Sequence, residues 1–258
     1  MPSHGYVCPE CGEFAGSTRD EISALDRAAI QQRSMWPEVS TILTYPLVDF
    51  PSFVVLSIFL GVIGFIPTIG WLIAQCVLLG YGFQAISKVG AGDLGEFRPT
   101  SSNIDELAQP LLLALCAAII SQGPLIAAGV YLLPATITDV LTKGTAPVGA
   151  LLAIAALTWS IIYMPAALVV AGQSRSWQAT LNPLHGIHVM AQMGTVYWQA
   201  LLIFLVIYLA NGVVSLLVHA LRIPILGSFA LAFIASYAYL CIGCALGFAV
   251  FKRAPDLA

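Results

Sequence analysis

Charge is what this sequence has least of. Ten Lys/Arg and 13 Asp/Glu among 258 residues make up 9% of the chain, against about 25% in soluble globular proteins. A soluble fold of this length needs far more charge to cover its surface, so that class is excluded. A formal net charge of −3 and the lack of a Lys/Arg cluster interleaved with aromatics exclude nucleic acid as a partner. The first 30 residues hold no apolar run and include Cys8, Glu10, Cys11, Arg19, Asp20, Glu21 and Arg27, so no cleaved signal peptide is expected. Met1-Pro2 and Asp256-Leu257-Ala258 carry no lipidation signature. HExxH, Ser/His pairs on adjacent turns, paired carboxylates and Gly-rich phosphate loops are missing too.

What is present is apolar and continuous. Hydrophobic residues make up 59% of the chain and fall into helix-length blocks from about Phe50 onward. That predicts an all-α integral membrane protein. The charge-free run of about 38 residues between Asp49 and Lys88 would reach roughly 57 Å as one helix, well beyond a hydrocarbon core of about 30 Å. It must fold back, and Gly64, Pro67 and Gly70 mark the turn of a hairpin. Six spans result: Pro51 to Ile66, Thr68 to Ser87, Pro110 to Leu133, Val148 to Ala171, Val196 to Leu221 and Pro224 to Phe251. The third contains Gly123-Pro124, which predicts a kink. The fifth begins beside Tyr197 and Trp198, aromatics that favour the membrane interface. Residues 1–49 read as a short polar segment, 50–251 as the membrane domain and 252–258 as a tail.

Basic residues set the orientation. Arg19, Arg27, Arg33, Lys88, Arg98, Arg175, Lys252 and Arg253 fall on one side of this six-span layout, leaving Lys143 and Arg222 on the other. Both termini are therefore expected in the cytoplasm, and the membrane is expected to be the inner membrane of a bacterium. Two cytoplasmic connections read as helices lying on the membrane surface: one around Ile104-Asp105-Glu106-Leu107, and one in 172–194 where Trp177, Leu181, Leu184, Ile187 and Met190 recur at helical spacing. Ile66-Pro67-Thr68-Ile69-Gly70 and Ile223-Pro224-Ile225-Leu226-Gly227 open the second and sixth spans alike. Those two spans share an orientation, so the match fits an inverted repeat poorly.

These landmarks carry a resemblance. Gly80-Tyr81, Gly92 and Pro99 before the third span, then Pro165, Ala179 and Asn182-Pro183 around the end of the fourth, resemble uncharacterised bacterial multi-pass families with domain-of-unknown-function status. Their layout is similar to that of Yip-type proteins and of the membrane domain attached to some glycerophosphodiester phosphodiesterases. The resemblance covers about residues 50–250 and implies topology. It also implies, as one option, an enzyme acting on lipid.

The most specific motif is Cys8-Pro9-Glu10-Cys11-Gly12, a CPxCG turn that is half of a zinc site. A structural disulfide is disfavoured there by a reducing cytoplasm. Zinc takes four ligands, so the rest must come from His4, from His185 and His188, which lie three apart on the second surface helix, or from a second chain. Cys241 and Cys244 also read CxxC, but beside Leu240 and Gly243 they are expected to pack helices, as are Cys76 and Cys116. No Asp, Glu, Lys or Arg is expected within a span. Gln75, Gln84, Gln122, Gln199, Asn211 and His219 are expected to bind helices together. The leading expectation is a non-catalytic membrane anchor or scaffold carrying a zinc knuckle, with the bilayer, a second copy or other membrane proteins as partners. The alternatives are a transporter or channel component and the lipid-active enzyme.

Overall fold

The computed structural model describes residues 6–7, 14–15, 34–66, 69–95, 104–131, 148–221 and 224–257. Two short strands, β1 (Tyr6–Val7) and β2 (Phe14–Ala15), precede a body that is entirely helical among the described residues. A 3₁₀ turn (Trp36–Glu38) leads into α1 (Val39–Val48), α2 (Phe50–Ile63), α3 (Ile69–Gly90), α4 (Ile104–Tyr131), α5 (Val148–Ser174), α6 (Trp177–Leu181), α7 (Pro183–Met193), α8 (Thr195–Ala220) and α9 (Pro224–Leu257). Four stretches are long and apolar enough to cross a membrane: Gln109–Val130, Gly149–Ser174, Thr195–Ala220 and Leu226–Arg253. The pair Trp36–Val48 and Phe50–Ile63, bent by 69°, adds a fifth candidate if it forms one span. The protein is membrane-embedded. Val206, Leu209, Val213 and Leu216 on α8 are all more than half exposed, a surface suited to lipid and not to water.

The chain divides into two compact units, residues 1–111 with 192–258, and residues 112–191. In the first, α9 is the hub, touching α1, α2, α3 and α8. Helices α3 and α9 run parallel, with Gly82 opposite Gly243, Val89 opposite Gly247 and Gly92 opposite Phe251. The two stretches that open alike in sequence therefore lie side by side. A Cβ on Gly243 would sit 2.7 Å from the Gly82 carbonyl oxygen, and one on Gly247 would sit 2.6 Å from the Cβ of Val89. Glycine four residues apart lets the two backbones approach. Cys241 and Cys244 are fully buried free thiols beside this contact, as their packing role requires.

Helix α3 is 22 residues long and carries Gln75, Gln84 and Lys88 along its length. It has little need of lipid-facing residues. Cys76, Val77, Leu78, Phe83, Ile86 and Val89 are all buried, and the Tyr239 hydroxyl donates to Gln75 Oε1 at 3.2 Å. At its end Gly92 adopts φ +84°, a left-handed conformation that disfavours any side chain.

The hairpin expected from Gly64, Pro67 and Gly70 is present. Helix α2 stops at Ile63 and α3 starts at Ile69, and Leu56, Leu60, Val77 and Leu78 form one core cluster. Pro67 and Thr68 themselves lie outside the described residues. On the far side of α2, Phe53 meets Phe233 edge-on at 5.6 Å and Phe65 meets Phe229 at 6.0 Å, so α2 is antiparallel to α9. Residues 39–48, which sequence assigns to the polar segment, instead form α1, with Ile42 and Tyr45 fully buried. A polar segment has no apolar face to bury, whereas this one does.

The second unit centres on Ala117, Tyr163 and Ala167, with Ile120, Trp159, Leu168 and Met190 packed around them. Helix α4 runs through Pro124 as a single element. Proline has no N–H, so the Ile120 carbonyl four residues back loses its helical partner. The Trp159 indole donates to that oxygen at 3.1 Å. Beside it, Ser160 donates to Gln122 Oε1 at 2.6 Å, so Gln122 ties α4 to α5 as expected. The surface helix expected around 104–107 is no separate element but the first turn of α4, since nothing between Leu107 and Pro110 ends a helix.

Candidate functional site

Strands β1 and β2 pair antiparallel, Tyr6 with Ala15 and Val7 with Phe14. The connection between them is 8–13, the stretch that holds Cys8 and Cys11. Cys8, Cys11 and His4 lie outside the described residues. A β-hairpin with a CPxCG connection is the usual frame of a zinc knuckle, because the turn brings two thiolates to one ion.

His185 and His188 fall on α7, both exposed. Among the described residues no three His, Cys, Asp or Glu side chains are grouped as metal ligands. Helix α7 packs through the opposite face. Gly186 lies against the Tyr163 ring, where a Cβ would come within 2.6 Å of Cε2, and the Tyr163 hydroxyl donates to the Pro183 carbonyl at 3.3 Å. Trp177, Leu184 and Ile187 stay exposed.

Residues 34–38 form a stem at the start of the helical body. The Met35 N–H donates to Gln199 Oε1 on α8 at 2.7 Å, and Met35 itself is fully buried. Lys252, only 3% exposed, donates to the Ser34 carbonyl at 3.1 Å and pairs with Glu38 Oε1 at 3.2 Å. Three polar contacts thus fix residues 34–38 to the ends of α8 and α9. A buried ammonium needs such partners, because an unpaired one is strongly destabilising. Sequence alone marked Lys252 as a flanking charge and Gln199 as helix glue, and neither label foretold that they grip the same segment.

One ionisable group lies buried between the two members of the bent pair. Asp49 sits at the break between α1 and α2, with φ −117° and ψ 66°, and is 6% exposed. Its Oδ1 accepts from the Ser52 N–H at 3.3 Å and caps α2. Its Oδ2 has no hydrogen-bond donor among the described residues. The Tyr81 phenol on α3 is near enough to feel its charge. From sequence Asp49 simply flanks the apolar run. The signal available was Asp49 before Pro51, a capping residue followed by proline at a helix start, inside a longer stretch whose preceding residues are apolar as well.

Comparison of the chain with known protein families, with curated proteins and with solved structures returns no match.

Proposed function

We propose that the protein is a non-catalytic bacterial inner-membrane scaffold that holds an amino-terminal zinc knuckle against the cytoplasmic face. The observation that carries this reading is the stem: Ser34, Met35 and Glu38 are bound by Lys252 and Gln199, so the point at which the amino-terminal segment meets the helical body is fixed. In this reading the spans number six. The bent α1–α2 pair is the first and α3, lying along α9, the second, followed by α4, α5, α8 and α9, while α6 and α7 lie on the surface with Trp177, Leu184 and Ile187 toward lipid. Glu38 meeting Lys252 puts the start of the first span and the end of the last at one level, which supports both termini on one side. The interdigitated glycines of α3 and α9 support a static body. The second reading, a transporter or channel component, is favoured by a different observation, the break at Asp49.

Metal analysis tests the first reading. Protein purified without chelator is expected to carry zinc, and Cys8→Ser with Cys11→Ser to remove it. Loss on replacing His185 and His188 identifies them as the completing ligands, whereas retention leaves His4 or a second copy. Less than about one-tenth of an equivalent in the unaltered protein, far below what a structural site holds, overturns the knuckle.

A further inference from the structure

We infer that the break between α1 and α2 is a binding site for a single positive charge, a proton or an alkali cation, taken by the Asp49 carboxylate. This rests on the bent pair being one broken span, and not on the zinc knuckle.

The depth of the site follows from its neighbours. Glu38 meets Lys252 at one end of α9, and Phe65 meets Phe229 toward the other. Those 23 residues of helix measure about 35 Å. Helix α2, 14 residues long, rises about 21 Å from Asp49 to its end, so Asp49 lies inside that length. Phe53, one turn on, packs against Phe233 and Tyr237. Both sides of the break contribute chemistry suited to a cation. Pro51 cannot supply the N–H that the Leu47 carbonyl would receive in a continuous helix, and carbonyls at the end of a broken half-helix, together with a carboxylate, are how membrane proteins hold small cations. Ser52 N–H satisfies only Oδ1, which leaves Oδ2 buried and bare. A carboxylate so placed within the membrane is costly unless neutralised. The titratable groups on the elements packed around the break are Tyr45 on α1, Cys76, Tyr81 and Lys88 on α3, and Tyr237, Tyr239, Cys241, Cys244, Lys252 and Arg253 on α9; of the cations, Lys252 is paired with Glu38. The Tyr237 hydroxyl is committed to the Leu43 carbonyl at 2.6 Å. Alkali cation and proton share one chemistry here, a unit positive charge on oxygen, and differ in what displaces them.

Infrared difference spectroscopy of the full-length protein in lipid nanodiscs tests this. The carboxyl C=O band is followed through a pH titration, first with N-methylglucamine as the sole cation and then with sodium or potassium. Asp49→Asn is the companion variant, because Asn caps helices as well as Asp does while lacking the charge. Asp49→Ser keeps a cap with different chemistry should Asn fail to fold. With N-methylglucamine at neutral pH, the unaltered protein is expected to show a protonated-carboxyl band. Either cap variant should lose it. If that band falls when sodium or potassium is added at constant pH, the alkali cation is the occupant, and if it is indifferent to both, the proton is. Absence of any protonated carboxyl band at neutral pH in the unaltered protein without alkali cations overturns the inference and leaves Asp49 as an ionised cap. So does a band that survives unchanged in a folded cap variant.

Discussion

Trp159 and Pro124 belong to different helices, yet each accounts for the other. A proline inside a membrane helix strands one carbonyl where no water can reach it, and here the Ile120 oxygen is met by the Trp159 indole. Replacing Trp159 by Phe keeps a ring to stack on Tyr163, with which it is parallel at 4.5 Å, but removes the donor. The expected loss is about 1 kcal/mol, the usual scale of an interhelical bond in a membrane. In a Pro124→Ala background the backbone N–H returns to Ile120, so the same replacement should cost less. A double-mutant cycle in a reversible detergent unfolding assay measures the difference, and equal losses in both backgrounds would show that Trp159 acts through packing alone.

Between elements, the decisive contact is the glycine seam of α3 and α9. It is asymmetric: a methyl group on Gly243 would press on the Gly82 carbonyl and on Ala85, at 2.7 and 2.8 Å, whereas one on Gly82 would find only the Tyr239 carbonyl at 3.9 Å. Backbone cannot rotate away as a side-chain tip can. Gly243→Ala should therefore cost about 1–3 kcal/mol by overpacking, and Gly82→Ala should be neutral or stabilising by up to about 1 kcal/mol through helix propensity. Thermal unfolding of the two purified variants compares them directly, and equal melting temperatures would contradict the seam. The aromatic contacts of Phe53 and Phe65 with α9 fix the neighbouring side of the same helix, which helps explain why Cys241, Cys244, Ala245 and Ala249 are fully buried.

For the whole molecule, topology is the statement most open to test. Reporter fusions after Gln31, Ala91, Ser174 and Arg253 should report cytoplasm, and fusions at Thr68 and Thr142 the outside. A cytoplasmic signal at Thr142 would break the six-span layout. Much of the helical framework was legible in the sequence, because a membrane helix must be apolar along its whole length: α5, α8 and α9 appear close to where their apolar blocks predict them, and the α2–α3 turn follows from a run too long for one crossing. Helix α1 was missed. Asp49 looked like an edge because charge marks edges, and residues 39–48 looked polar in the company of the segment before them. Of the candidate site, the CPxCG pair was read directly from spacing, but the stem was not. Its contacts join Ser34, Met35 and Glu38 to Gln199 and Lys252, more than 160 residues away, and no local pattern carries such a pairing.

Composition and block length by themselves determined that this chain is helical and enters a membrane, since the bilayer admits few alternatives for so apolar a sequence. What only the tertiary structure decided is how its polar groups are placed. Whether Asp49 is exposed or buried, whether Lys252 faces water or Glu38, and whether Pro124 strands a carbonyl or shares it with Trp159 all depend on which helix lies alongside. A polar group in a membrane protein is defined by its neighbour across the packing interface, and that neighbour is distant in sequence.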